Sequence, residues 1–119
     1  MAEKTIFEKI RDREIPATFE YEDDDVMAFR DAYPAAPVHV LIVPKKAYAT
    51  LEQIPLDDPI QATLLRIARE MAAKLGISQN YRLTMNVGAG MQQVPHVHLH
   101  LQGGWKAPRP DDPESTKMN

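Results

Sequence analysis

The chain has 119 residues, 44% of them hydrophobic, no cysteine and a formal net charge of −3. That length suits one domain with its own core, and the missing cysteines exclude a disulfide framework, thiolate zinc sites and a cysteine nucleophile. The acidic balance makes nucleic acid and anionic membranes poor partners. No apolar run is long enough to span a bilayer and the opening residues lack an export pattern, so a cytoplasmic location is expected.

In chain order, Thr5-Ile6-Phe7-Glu8 fits a capping box and predicts a short helix to about Asp12, ended by Pro16. Residues 18–22 and 26–29 flank Asp23-Asp24-Asp25 and read as a hairpin with a solvated acidic turn. Val38-His39-Val40-Leu41-Ile42-Val43, between Pro37 and Pro44, reads as a central strand. Asp58 caps a long helix with Pro59 first and Gly76 past its end. Its stripe is Ile60, Leu64, Ile67, Met71 and Leu75. Residues 81–86 form the next strand, Val87-Gly88-Ala89-Gly90-Met91-Gln92-Gln93 a loop, and a histidine-bearing strand follows. Residues 1–105 make the domain, and the proline-rich stretch 106–119 reads as a loosely ordered tail. The order helix, three strands, helix, two strands describes an α+β domain, an antiparallel sheet with helices to one side.

His96-Val97-His98-Leu99-His100-Leu101 carries the chemistry. Alternation along an extended chain sets the three imidazoles on one face, with Val97, Leu99 and Leu101 facing the core. Packing alone gives no reason for three adjacent titratable rings, each costly to desolvate without a partner. Neutral imidazole is both nucleophile and proton carrier near neutral pH, and crowding discourages protonation of the whole set. One ring attacking a phosphorus centre while others hold its oxygens suits that pattern. His39, on a neighbouring strand, reads either as a satisfied core histidine or as an orienter fixing a tautomer. Asp31 either ends a strand or accepts two ribose hydroxyls. Zinc is the competing chemistry: His-x-His on a strand can ligate it, yet the outer Cα atoms of the run stand about 13 Å apart. No cofactor is required by the phosphorus reading.

These residues resemble the signature of the histidine triad superfamily. Thr5-Ile6-Phe7-Glu8-Lys9-Ile10, Glu14-Ile15-Pro16-Ala17, Met27-Ala28-Phe29-Arg30-Asp31 and Ala36-Pro37-Val38-His39-Val40-Leu41-Ile42-Val43-Pro44-Lys45-Lys46 resemble its nucleotide-binding branch. The resemblance runs from about Thr5 to Trp105. It implies a five-stranded antiparallel sheet with two helices, a homodimer joining two sheets, and hydrolysis of purine nucleoside 5′-phosphoramidates. By the same resemblance His98 is the nucleophile, His100 and His96 handle phosphate contacts and proton transfer, and His39 supports them. Ile6, Phe7, Ile10 and Phe29 line the base pocket, and Arg30 belongs to the same nucleotide-binding set. Asp31 holds the ribose, while Asn86 and the backbone near Gln92, Gln93 and Val94 approach the phosphate.

The chain departs from that pattern at Gln102, at Met91-Gln92-Gln93 where relatives often have Gly-Gln-Ser, at Pro95 in place of a frequent Tyr, and in its tail. Two other readings stay open, the first on account of the altered loop and the tail. One is a nucleotide-binding regulatory protein with incidental hydrolysis, the other a dinucleoside polyphosphate hydrolase.

Overall fold

A computed structural model describes residues 3–106, so all but the first residue of the expected 106–119 tail lies outside the described residues. The capping box forms as its residues predict. Thr5 Oγ1 accepts the Glu8 N–H, Glu8 Oε1 accepts the Thr5 N–H, and helix α1 runs Ile6–Arg11. Its end differs from expectation. Arg13 takes a left-handed backbone (φ 64), while the Glu14 and Arg13 N–H groups return to Lys9 O and Ile10 O. This is a Schellman stop with Arg in the place glycine usually takes, and it ends the helix before Pro16 is reached.

Strands β1 (Phe19–Glu22), β2 (Val26–Arg30), β3 (Val38–Pro44), β4 (Tyr81–Thr84) and β5 (Leu99–Gly103) form one antiparallel sheet in the order β1-β2-β3-β5-β4. A short 3₁₀ turn, Leu51–Gln53, and helix α2, Ile60–Lys74, lie between β3 and β4. Asp58 Oδ1 accepts the Ile60 N–H at 2.9 Å and Pro59 sits at the cap with helical dihedrals. Gly76 (φ 75) lies beyond the other end, as expected. Among the described residues no helix is long and apolar enough to cross a membrane.

The helices do not share one side of the sheet, which corrects the sequence expectation. Leu64, Ile67, Ala68 and Met71 of α2 pack on Val26, Ala28, Val40, Ile42, Leu99 and Leu101. Phe7 and Ile10 of α1 pack on Met27, Phe29, Leu41 and Val43. The physical reason lies in β2 and β3, whose apolar runs are buried at almost every position and so need cover on both faces.

The histidine run also enters the sheet later than expected, at Leu99. Ile42 pairs with Leu99, and beyond it the ladder stops. Pro44 has no N–H to give, and the Val97 N–H goes instead to Tyr48 O at 2.8 Å in the segment after β3. Alternation nevertheless persists, because Val97, Leu99 and Leu101 all join the α2 core.

Candidate active site

Hydrogen-bond partners assign the protons on all four histidines. A carbonyl oxygen only accepts, so each imidazole nitrogen facing one must carry hydrogen. His98 Nδ1 donates to His96 O at 2.8 Å. In the neutral ring this leaves the lone pair on Nε2. Burial holds the His98 pKa below the ordinary imidazole value, so the ring is neutral at neutral pH.

His39 and His100 form a second oriented pair. The Ala35 N–H donates to His39 Nδ1 at 3.0 Å, so the His39 hydrogen sits on Nε2. That hydrogen points to His100 Nδ1 at 2.9 Å, which places the His100 hydrogen on Nε2. Burial, then the neighbouring His98 and His39, push His100 down to about 4. Burial likewise lowers His39, against the opposing pull of Asp31. The His98 and His100 ring centroids stand 4.9 Å apart and those of His39 and His100 5.2 Å apart, so three rings share one patch.

His96 differs from its neighbours. Its ring is 0% exposed, Nε2 donates to Pro44 O at 2.8 Å, and Nδ1 faces Thr5 Oγ1 at 3.1 Å. Both nitrogens are engaged inside the protein, which leaves neither for a phosphate oxygen or a travelling proton. As placed, the His96 ring braces the site, and the contact and proton-transfer role that the resemblance implies for it finds no open nitrogen in this arrangement.

The remaining candidates divide by position. Phe7 packs edge-on to His98 at 4.9 Å, to His96 at 5.7 Å and to Phe29 at 5.7 Å, and Phe7, Ile10 and Phe29 are buried while Ile6 is half exposed. Asp31 stands beside the histidine pair, its Oδ2 3.4 Å from His39 Nε2 and its Oδ1 accepting the Tyr33 N–H at 2.8 Å. Asn86 is half-buried, two residues beyond β4, whose last residue Thr84 pairs with His100. Val94 packs beside the α1 cluster and Gln93 is exposed. Gln92 is a loop brace: its Oε1 accepts the Gly88 N–H, and its Nε2 donates to Ala49 O and Val94 O. Its side chain is thereby committed to the fold.

Arg30 falls away from this group, on the other face of the sheet. Along β2 it shares parity with Val26 and Ala28, the α2 side, and it pairs with Glu20, which also meets Lys74 of α2. What the residue types did not signal were main-chain groups: His96 O, Pro44 O and the Ala35 N–H set the tautomers, and no side-chain pattern advertises a carbonyl.

Among the described residues one group has metal-ligand spacing, Asp31, His39 and His100, and it is not the run itself. It does not fit zinc as placed. The facing His39 and His100 nitrogens are 2.9 Å apart and share one hydrogen. Zinc would need lone pairs on both, moving the His39 hydrogen onto Nδ1 against the Ala35 N–H.

A family model for the HIT domain matches residues 12–106. The chain is 52% identical over 106 residues to an uncharacterized HIT-like protein of Synechocystis, covering 87% of this chain and 93% of that one. It is 43% identical over 107 residues to the purine nucleoside phosphoramidase of Escherichia coli K12, covering 87% and 90%. It is also 43% identical over 106 residues to a maize protein named 14 kDa zinc-binding protein, covering 84% and 81%. In three dimensions it is similar to a HIT family hydrolase from Legionella pneumophila, with a TM-score of 0.83, 44% identity, and 92% and 100% of the two chains covered. A sheet carrying His39 and His100, with His98 just before its β5 strand, joined to this likeness over most of the length, has one conclusion: the chain belongs to the HIT family.

Proposed function

We propose that this protein hydrolyses purine nucleoside 5′-phosphoramidates through a nucleotide held covalently on His98. The observation that carries the reading is the His98 tautomer: Nδ1–H bound to a carbonyl, Nε2 bearing the lone pair, in a ring that burial keeps neutral. Relatives named hydrolase and phosphoramidase supply the reaction class.

In that reading His98 Nε2 bonds to the α-phosphorus as the P–N bond breaks, and the departing amine takes up a proton. The attached ring becomes cationic with its Nδ1–H still on His96 O, a charge the carbonyl stabilises. Water then attacks phosphorus and returns the neutral ring. Over the cycle the water gives its hydroxyl to phosphorus and a proton to the amine. His100 presents Nε2–H to the phosphoryl oxygens, where charge accumulates, and Asp31 takes the ribose hydroxyls. The homodimer implied by the resemblance would extend the sheet at one of its edge strands, β1 or β4.

His98→Asn is the test, since an amide N–H can replace Nδ1–H toward His96 O while Nε2 is removed. Turnover of adenosine 5′-phosphoramidate should fall at least about a thousandfold, as when a catalytic nucleophile is deleted, with AMP binding and melting temperature retained. Normal turnover in the variant would refute the assignment. AMP binding with no turnover by the unmodified protein would return the chain to the nucleotide-binding reading.

A further inference from the structure

The N-cap of α1 reaches further than helix capping requires. Thr5 Oγ1 accepts the Glu8 N–H at 3.1 Å and lies 3.1 Å from His96 Nδ1. Because Pro44 O claims the hydrogen on His96 Nε2, Nδ1 of the neutral ring has only a lone pair to offer. The Thr5 hydroxyl must therefore donate to it, using its single proton, while the same oxygen accepts from Glu8. His96 is thus clamped at both nitrogens, and its own carbonyl receives His98 Nδ1–H. The helix that Thr5 opens also carries Phe7, whose ring lies against His96 and His98.

We infer that Thr5 is a positioning residue for His98: its hydroxyl proton holds the His96 ring, and the His96 main chain in turn aims the nucleophile. This rests on the reading of His98 as nucleophile. Capping and aiming ask different things of residue 5. A cap needs an acceptor, which Asp supplies at least as well as Thr; His96 needs a donor, which an ionised carboxylate lacks. Ser meets both demands with one atom.

The pair Thr5→Ser and Thr5→Asp therefore separates the two roles. Turnover of adenosine 5′-phosphoramidate, thermal melting and imidazole ¹⁵N spectra would be recorded for each. The Ser variant should keep kcat within about twofold. The Asp variant should stay folded with α1 capped, yet lose kcat by about ten- to a hundredfold, the scale of a nucleophile misplaced by about an ångström, with KM little changed. Its His96 should take a second proton at higher pH than in the unmodified protein, since the new carboxylate joins Glu8 in favouring the charged ring, which Arg11 and His98 disfavour.

A folded Asp variant with unaltered kcat and a neutral His96 overturns the inference, as does a folded Ser variant that loses kcat like Asp. If the unmodified protein fails to turn the substrate over, the proposed function falls separately. The spectra then decide Thr5 alone: an unchanged neutral His96 in the Asp variant refutes the clamp, and a doubly protonated one upholds it.

Discussion

On the α2 face of the sheet, Val26, Val40, Ile42, Leu99 and Leu101 close against Leu64, Ile67 and Met71, with no ionisable group among the buried members of the cluster. On the α1 face, Met27, Phe29 and Leu41 share the surface with Phe7 and with the rings of His39, His98 and His100. One face gains its free energy from apolar burial, the other holds titratable rings out of water. The second is tolerable because the first is so thoroughly packed, and because, among the described residues, every ring nitrogen that is itself buried is met by a carbonyl, an amide, a hydroxyl or another ring. Stability and chemistry are therefore separable by mutation.

The largest break in that comparison is on the aliphatic side. Ile67→Ala, at a position with 0% exposure, should cost about 2–5 kcal/mol in chemical denaturation while leaving kcat per folded molecule intact. A matching loss of kcat would mean the two faces are coupled. On the other side, His39→Leu removes the donor that fixes His100. It should lower kcat by about ten- to a hundredfold, the scale of lost orientation, while changing the melting temperature far less than Ile67→Ala does.

Much of this contrast was legible in the residues, and the gaps have physical causes. Thr5 and Glu8 announced the capping box, Gly76 the end of α2, and the alternation of His96, His98 and His100 with Val97, Leu99 and Leu101 the two-sidedness of the run. The helix positions were not legible, because Val26-Met27-Ala28-Phe29 is apolar at both parities and hides which face each residue serves. The same run concealed that Arg30 points toward α2. The enclosure of His96 depends on Pro44 O and on a hydroxyl 91 residues away, and such long-range partners leave no local trace. The signature carried the family and, by resemblance, set His98 apart, but what separates His96 from His100 showed only once their partners were placed.

pH sharpens the comparison next. His39, His96, His98 and His100 all have depressed pKa values in the folded state, chiefly from burial, with His100 at about 4. The unfolded chain therefore binds more protons below about 6.5. Stability should hold above that pH and fall as pH drops from there toward 4, as urea midpoints would record. kcat/KM should keep its plateau through pH 6.5 and decline only below it; an acid limb centred at or above 6.5 would show that a buried neutral ring is not the attacking group.

The smallest expected effect belongs to Arg30→Ala. The Arg30–Glu20 pair is on the α2 side and half exposed at the arginine, so its loss should cost about 0–1 kcal/mol and leave KM unaltered. A several-fold rise in KM would restore Arg30 to the nucleotide site.

The central claim is most directly tested by mass spectrometry of protein quenched within milliseconds of mixing with adenosine 5′-phosphoramidate. An adenylyl group should appear on the peptide containing His98, decay as AMP accumulates, and be absent from His98→Asn. Turnover with no labelled peptide at any time, or label that persists in His98→Asn, would contradict the account.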